Sequence, residues 1–549
     1  MNAALTPREC SLRSVLDGLA DVPGELMVSD ITEDSRAVTP GAAFLACRGR
    51  THHGLEFAHA AADAGARAIL WESAPQAAPP PLDDSIVVRE IPQLHARLGR
   101  IADRFFDAPS AQLRIAGITG TNGKTTCAWL LAQALGLLGR RTAYLGTLGV
   151  GMPGALRTLS HTTPDAITLH RELARELAAG ADSVAMEISS IAIDQHRCDA
   201  LRLHAAALTN LTREHLDYHG DMRAYGAAKA ALFGWPALRA RVINVDDRFG
   251  AALAQRWGDA AQPALTGDTL TGDPADGDPL VGASSAARLF LTSQRPPEAQ
   301  DGLVASTTTQ YVCARSITAT RSGLSLTLET SRGSARLDSA LRGPFNAENL
   351  LTVLALLLAW DIPLTDACEA LGRCVAPPGR MQAEGGGMLP LALIDYAHTP
   401  DALAKALAAA RAHCDGRLWC VFGCGGERDR GKRAQMGRIA AAAADVLIVT
   451  DDNPRGEDPQ AIAAAILQGI AAGGGAGRAQ LIHDRAAAIS AALEQAAASD
   501  VVLIAGKGHE DCQIVGSQRL PFSDAAQVRA ALAALAALAA HTDTLRRPT

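Results

Sequence analysis

Residues 113–138 restrict the fold more than any other part of this 549-residue chain. An apolar run, 113–118, passes into Thr119-Gly120-Thr121-Asn122-Gly123-Lys124-Thr125-Thr126, and an Ala/Leu-rich stretch, 127–138, follows. The pattern reads as strand, glycine loop, helix. Gly120 and Gly123 let backbone N–H groups approach phosphate oxygens with no side chain between them, and the helix N-terminus adds its partial positive charge. Lys124 is placed to reach the β and γ phosphates, and Thr125 to hold Mg²⁺. The generic pattern puts a glycine five residues before Gly123; that position is Ile118, and Gly117 stands one residue away. By itself the loop specifies a nucleoside triphosphate and leaves hydrolase, kinase, ligase and switch all open.

The same alternation continues along the chain. Strands are predicted at 183–188, 205–208, 241–245, 391–394, 418–422, 446–449 and 501–504, separated by Ala/Leu-rich helical stretches. Strands and helices alternating at this spacing imply an α/β fold with parallel sheets covered on both faces. In such sheets ligands sit at the carboxyl ends of the strands, where most of these runs end in Gly, Asp, Asn or Thr. The length suggests three or four domains of about 150 residues. Residues 1–105 read as a smaller mixed domain, with 75–81 a proline-rich loop. The stretch 258–297 is rich in Gly, Asp, Pro and Ser and reads as a long insertion or loop. Residues 310–339 alternate apolar with Thr and Ser, as antiparallel strands do. Gly343-Pro344 marks a boundary, which gives domains of 1–105, 106–342 and 343–549.

Composition narrows the classes. Hydrophobic residues make up 48%, charged residues 20%, and the formal net charge is −7, which argues for a folded protein and against a general nucleic-acid binder. No apolar run approaches the ~20 residues that span a bilayer, and the first ten residues lack a leader pattern. Eleven cysteines without framework spacing fit a reducing cytoplasm. Cys414, Cys420 and Cys424 cluster near His413, but the spacing is not that of a zinc finger and Cys420 falls in an apolar strand, so zinc is not expected.

The phosphate loop, Gly120 to Thr126, resembles that of the Mur ligases, which add amino acids to the peptidoglycan precursor. Other segments resemble the same family: Thr162-Thr163-Pro164-Asp165, Met186-Glu187-Ile188-Ser189-Ser190, and Thr209-Asn210-Leu211-Thr212-Arg213-Glu214-His215-Leu216-Asp217-Tyr218-His219-Gly220. Gly343-Pro344-Phe345-Asn346-Ala347-Glu348-Asn349, Pro378-Gly379-Arg380-Met381 and Asp395-Tyr396-Ala397-His398-Thr399-Pro400 complete the set, in the family's order. Three more segments are similar to members that add diaminopimelate: Gly423 to Arg433, Asp452-Asn453-Pro454-Arg455 and Gly506-Lys507-Gly508-His509-Glu510.

The resemblance implies a three-domain α/β architecture: an N-terminal domain for a uridine nucleotide, a central P-loop ATPase domain, and a C-terminal Rossmann-like domain for the incoming amino acid. It implies that ATP phosphorylates the D-glutamyl carboxylate of UDP-N-acetylmuramoyl-L-alanyl-D-glutamate and that the amine of meso-2,6-diaminopimelate displaces the phosphate. ATP and two Mg²⁺ ions are the implied cofactors, with a CO₂-derived carbamate on Lys229. The implied metal ligands are Thr125, Glu187, His215 and carbamylated Lys229. Gly120, Thr121, Asn122, Gly123, Lys124, Thr125, Thr126, Asn346, Asn349, Arg380, Asp395 and His398 are implied for ATP, with Lys124, Glu187, His215, Lys229 and Arg380 as the catalytic set. Glu33, Asp34, Ser35 and Arg36 resemble a uridine-recognition turn, followed by Arg50, Thr51 and His52. Thr162, Thr163, Ser189, Gln195 and Arg197 are implied for the muramoyl-dipeptide. Arg428, Asp452, Asn453, Pro454, Arg455, Gly506 and Glu510 are implied for diaminopimelate, Glu510 suiting its distal ammonium. Arg455 has a physical role there, because a guanidinium fork grips a carboxylate with two parallel hydrogen bonds and the distal centre of diaminopimelate carries one that lysine lacks. A cytoplasmic monomer, with no nucleic-acid partner and no membrane insertion, is expected.

Taken as residues alone, several of these positions fit ordinary structural roles. Lys229 among alanines reads as a solvated helix face, Asn346 and Asn349 as helix capping, Ser189 as a turn cap, and Asp452 to Arg455 as a turn after a strand. The chain departs from the family at Ile191, where a histidine is usual after Ser189-Ser190, and at His161, where a smaller polar residue is common. A ligase of the same type acting on another carboxylate or on L-lysine is the alternative, and an inactive nucleotide-binding scaffold a third.

Overall fold

The computed structural model describes residues 9–49, 51–75, 77–258, 287–296 and 309–546. They form two compact units. One takes in the described residues through Thr292, with 309–311 and Ala355–Asp361; the other takes in 293–296, Val312–Leu354 and the described residues from Ile362 onward.

The first unit holds two sheets. The N-terminal sheet has four parallel strands in the order Ile31–Thr32, Ala43–Ala46, Ala68–Glu72, Val87–Ile91. Phe44 and Ile69 pack into one core, while Leu45, Leu70 and Ile91 pack into another with Leu94, Leu98 and Ile101 of the helix Leu94–Phe105. Burial on both faces explains why these strands read as continuous apolar runs rather than as alternating ones. In the central sheet the order is Arg288–Ser293, Ala240–Asn244, Ala205–Leu208, Arg114–Thr119, Ser183–Glu187, Thr142–Gly146, all parallel, with Gly149–Gly151 returning antiparallel. The carboxyl ends of these strands, at Thr119, Gly146, Glu187 and Leu208, therefore share one edge. The helix Lys124–Leu137 crosses over from that edge and is buried at ten of its residues, which is why its sequence shows no polar face. Gly117 lies within the strand: a Cβ there would stand 2.5 Å from Ile188 Cδ1, so it serves strand packing and the loop begins at Gly120.

The assignment of 258–297 to an insertion or loop needs correction where that stretch is described. Gly258 ends the helix Arg248–Gly258, and Arg288–Ser293 is a parallel strand paired with Ala240–Asn244; residues 259–286 lie outside the described residues. Backbone pairing to a neighbouring strand outweighs the loop-like composition around it. The other predicted strands form within a residue or so of their expected limits.

In the second unit, the strand Thr309–Thr320, from Val312 onward, pairs antiparallel with Gly323–Thr330, and that with Gly333–Ser339, as the alternation at 310–339 predicted. A six-stranded sheet follows in the order Gln382–Gly385, Leu391–Asp395, Val501–Ala505, Leu418–Phe422, Val446–Val449, Ala479–Leu481, antiparallel only at the first pair. Leu393, Cys420, Phe422 and Leu503 face helices carrying Leu403, Leu407, Met436 and Ile466; Trp419, Val421, Ile448 and Ile504 face Ile489, Leu493 and Val528. Two layers of helix around a parallel sheet place the polar strand ends at the sheet's carboxyl edge. Among the described residues no helix is long and apolar enough to cross a membrane.

Candidate active site

Gly120 and Gly123 both have positive φ, 149° and 88°, so the loop takes a path that only glycine follows without strain. A Cβ on Gly120 would meet Thr209 Oγ1 at 1.9 Å. That crowding comes from the strand end after Ala205–Leu208, which cradles the loop. Thr121 N–H donates to Asn210 O at 2.9 Å, Asn122 N–H to Asn210 Oδ1 at 2.9 Å, and Thr121 Oγ1 to Thr212 O at 3.1 Å. Lys124 Nζ donates to the carbonyls of Gly120 and Thr121 at 2.8 and 2.9 Å, which holds the ammonium over the loop. Thr125 and Thr126 are buried in the first turn of the helix.

Glu187 ends its strand fully buried. It accepts from Thr125 Oγ1 at 2.9 Å, from Thr147 N–H at 2.9 Å, and from the hydroxyls of Tyr144 and Thr147. The loop threonine and the carboxylate thus stand together as oxygen donors, the hard ligand type Mg²⁺ prefers. Tyr144 and Thr147, which position the carboxylate, carry no motif signal in the sequence. Gly146 also contributes, since a Cβ there would lie 2.2 Å from Glu187 Oε1.

Lys229 is the largest departure from what its neighbours in sequence suggest. It is 1% exposed, not on a solvated face. Its Nζ donates to Gly120 O at 3.0 Å, lies 3.5 Å from Thr119 Oγ1, and sits 4.7 Å from the centre of the Tyr225 ring. Burial, and then repulsion from Lys124, pull its amine down to about 6. His215 has a left-handed backbone, φ 55°, and its ring stands 6.1 Å from the same tyrosine. Tyr225 hydrogen-bonds Thr121 of the loop at 3.2 Å. The tyrosine therefore ties the phosphate loop to both side chains.

The residues implied for the dipeptide by resemblance converge on the same strand end. Thr163 Oγ1 donates to Glu187 O at 2.9 Å and accepts from Ser189 N–H at 3.1 Å. Arg197 donates to Thr163 O at 3.0 Å and to the Gln195 side chain, and Gln195 reaches Tyr218 at 3.1 Å. Thr162 meets Thr147 at 3.1 Å. Ser189 Oγ caps the helix Ser190–Asp194, so its capping role is real. Ile191 lies half-buried in that helix. Glu33 is pushed up to about 7 by the protein around its carboxyl and by Asp165, against the pull of Arg197, which places the turn at Glu33 near those two residues. Asp34 accepts two hydrogen bonds from the Arg36 guanidinium, at 2.9 and 2.8 Å. His52 pairs with Glu56 at 2.9 Å; Ser35 lies in the short helix Ser35–Ala37, and Thr51 is exposed. Arg50 lies outside the described residues.

In the second unit, Asn346 and Asn349 are buried at the start of the helix Phe345–Ala359. Asn346 Nδ2 donates to Arg342 O at 2.6 Å and Asn349 Nδ2 to Asn346 Oδ1 at 2.8 Å. Arg380 stacks 5.1 Å over the Tyr396 ring, which lies 4.6 Å from His398 and 5.1 Å from His509. Asp395 accepts N–H bonds from Met381 and Ala397 at 2.8 and 2.9 Å.

The set around Arg455 is built on a network of buried Asn453 and Lys507 with half-buried Glu510. Asn453 Nδ2 donates to Glu510 Oε2 at 2.9 Å; Lys507 Nζ donates to Asn453 Oδ1 and Glu510 Oε2, each at 2.9 Å. Burial alone raises Glu510, but Lys507 and Asn453 outweigh it and hold the carboxyl below its ordinary value. Lys507 is fully buried; its motif contains it, but only the fold reveals its part in the network. Arg455 has φ 52°, bridges to the strand at Val515, and donates from Nη1 to Gly426 O at 2.8 Å. Gly506, at φ 122°, leaves room for Asp452, whose Oδ2 would meet a Cβ there at 2.5 Å. Pro454 is buried in the same turn, and Arg428 is exposed on the facing loop.

Known proteins resemble this chain over nearly its whole length. Family models match at 28–106 (Mur ligase family, catalytic domain), 118–270 (Mur ligase middle domain) and 379–508 (Mur ligase, glutamate ligase domain). The UDP-N-acetylmuramoyl-L-alanyl-D-glutamate--2,6-diaminopimelate ligase of Xanthomonas campestris pv. campestris (strain 8004) is 47% identical, covering 96% of this chain and 98% of its own length. The ligase of the same name from Ectopseudomonas mendocina (strain ymp) is 45% identical over 93% of this chain and 96% of its own. A solved structure of a ligase with that name superposes with a TM-score of 0.68 at 32% identity, covering 96% of this chain and 99% of that one. MurF from Acinetobacter baumannii shares the fold, with a TM-score of 0.61 at 18% identity over 92% of this chain and 97% of that one. With family models matching more than half of its length and relatives at 45–47% identity over nearly all of it, this chain belongs to the Mur ligase family.

Proposed function

We propose that this chain is an ATP-dependent ligase that joins the amine of meso-2,6-diaminopimelate to the D-glutamyl carboxylate of UDP-N-acetylmuramoyl-L-alanyl-D-glutamate. The relatives that carry this activity in their names support it, at 42–47% identity over nearly the whole chain. The observation that carries the choice of amino acid is Arg455, anchored to Gly426 by one N–H, two residues after Asn453, which hydrogen-bonds the Glu510 carboxylate held ionised by Lys507. A guanidinium and a carboxylate linked through one turn suit a centre bearing both a carboxylate and an ammonium.

In this reading Lys124 and Arg380 contact the phosphates, and Asn346, Asn349, Asp395 and His398 the nucleoside. The γ-phosphoryl group passes to the glutamyl carboxylate, releasing ADP; the amine then attacks the acyl phosphate, phosphate leaves, and the nitrogen loses a proton. Two anions must meet, so Mg²⁺ supplies neutralising charge, held by Thr125, Glu187, His215 and Lys229 as its carbamate. The buried Lys229 amine supports that modification. With a value of about 6 it is mostly neutral at pH 7, so its lone pair is free to form an N–C bond to CO₂, giving up a proton and becoming a carboxylate. Thr162, Thr163, Ser189, Gln195 and Arg197 hold the dipeptide, and Glu33, Ser35, Arg50, Thr51 and His52 the uridine end. The division into 1–105, 106–342 and 343–549 assigns one substrate to each part, in a cytoplasmic monomer.

One reaction tests this. Purified protein, ATP, Mg²⁺ and UDP-N-acetylmuramoyl-L-alanyl-D-glutamate are mixed with meso-diaminopimelate, L-lysine or no amino acid, and products are read by mass spectrometry. Tripeptide is expected with diaminopimelate only. Product with lysine at a similar rate overturns the Arg455 assignment. No product in any tube, with ATP still bound, overturns the substrate reading and turns attention to Ile191.

A further inference from the structure

The edge of the central sheet opposite the phosphate loop carries a second cationic cavity. Arg114 opens the strand Arg114–Thr119, His204 precedes Ala205–Leu208, Arg239 precedes Ala240–Asn244, and Arg288 opens Arg288–Ser293. These four strands are neighbours, and backbone bonds tie their beginnings into a row: His204 N–H to Ile115 O at 2.8 Å, Arg239 N–H to His204 O and Arg288 N–H to Arg239 O, both at 3.0 Å. At about 4.8 Å between strands, the three guanidiniums start within about 15 Å of one another. They line a cavity of about 500 Å³ with His204, Trp360 and Asp361. At about 3.3 Å per residue, the strand from Arg114 sets this cavity some 20 Å from Gly120.

Its chemistry is one-sided. Arg288 is engaged, donating to Asp361 Oδ1 at 2.8 Å. Arg114 and Arg239 make no side-chain hydrogen bond or ion pair with a described residue. Trp360 is 3% exposed, and its indole N–H, a donor only, finds no acceptor among the described residues. His204 Nδ1 is also buried without a partner there, and its ring meets the Trp360 ring edge-on at 5.8 Å. Burial, and then Arg114, Arg239 and Arg288, hold that imidazole down near 4, so it stays neutral. With Asp361 already paired to Arg288, the guanidiniums of Arg114 and Arg239 leave the cavity with uncompensated positive charge, which suits an anion.

We propose that this cavity binds a compact dianion, a phosphate or a short dicarboxylate, gripped by Arg114 and Arg239 beside the ring of Trp360. The site is separate from the ligase machinery and does not rest on the ligase reading. The full-length protein, with its phosphate loop saturated by ADP and Mg²⁺, is titrated with inorganic phosphate in one arm and succinate in the other, by calorimetry and tryptophan fluorescence. Saturable binding of at least one probe is expected. It should weaken about tenfold or more in Arg114→Gln/Arg239→Gln, the scale of lost charge-assisted hydrogen bonds, with ADP affinity unchanged. The fluorescence change should vanish in Trp360→Phe. Succinate alone or phosphate alone still supports the site and names its preference. Saturation by neither probe, wild-type titration in the double variant, or an equal loss in the exposed pair Arg100→Gln/Arg438→Gln overturns it.

Discussion

Gly146→Ala adds one methyl group beside the carboxylate proposed to hold magnesium. The new Cβ would lie 2.2 Å from Glu187 Oε1 and 2.5 Å from Tyr144 Oη, where ordinary contact begins at 3.4 Å. The carboxylate must therefore retreat by about 1 Å, because Gly146 ends a buried strand and has little room to give. Oε1 is the oxygen that accepts from Tyr144 and from Thr147 N–H. Hydrogen bonds to a charged group contribute about 1.5–3 kcal/mol each. Partial relaxation leaves a loss of about 2–4 kcal/mol, or about 30- to 1000-fold in rate. Displacements of about 1 Å at a reacting centre have effects of similar size. Turnover measured as ADP release across a magnesium series should fall about 100-fold and need more magnesium, while nucleotide affinity by calorimetry stays within about threefold of wild type. Gly136→Ala is the control, a helical glycine whose Cβ would meet nothing within 4 Å; it should keep full activity and gain about 0.5–1 kcal/mol of stability. Turnover of Gly146→Ala within threefold of wild type would refute the role given to Glu187. So would a parallel loss of nucleotide binding.

Other outcomes follow from the same geometry. Arg455→Ala removes two charge-assisted bonds to the distal carboxylate, so kcat/KM for diaminopimelate should drop about 10²- to 10⁴-fold; a KM for ATP rising in step would contradict the assignment. Lys229→Ala should nearly abolish turnover, with partial recovery on adding acetate or formate; full activity without rescue would remove the carbamate. His170 is fully buried and held from 6.5 down to about 4, chiefly by burial. Its protonation opposes folding, so the stability tied to its neutral form is complete above 6.5 and is lost as the pH falls toward 4, up to about 3 kcal/mol by linkage. Thermal melts of wild type and His170→Gln across that window should converge on acidification, and parallel curves would show that another group titrates.

Much of this protein is legible in one dimension. Runs such as 418–422 and 446–449 are so apolar that only a strand covered on both faces satisfies them, and glycines in the phosphate loop report a backbone that no other residue follows. Local rules reached the Thr125–Glu187 pair only through family resemblance, because the two residues are 62 positions apart and meet at parallel strand ends. Composition misled at Arg288–Ser293, where a partner strand, not the neighbouring residues, decides the backbone.

The sequence by itself determined the class of fold, the nucleotide loop and the order of the motifs, because those depend on period, turn chemistry and residues adjacent in the chain. Only the tertiary structure decided the electrostatics. Lys229 looks solvated in its alanine-rich helix and becomes a neutral amine once Tyr225 and the phosphate loop close over it. Lys507 and Glu510, three residues apart, become a fully buried amine bound to a half-buried carboxylate only when Asn453 arrives from another strand end. Arg114, Arg239 and Arg288 read as ordinary surface residues until parallel pairing brings their strand beginnings to one edge. Burial and charge proximity are properties of the folded chain, and no local pattern encodes them.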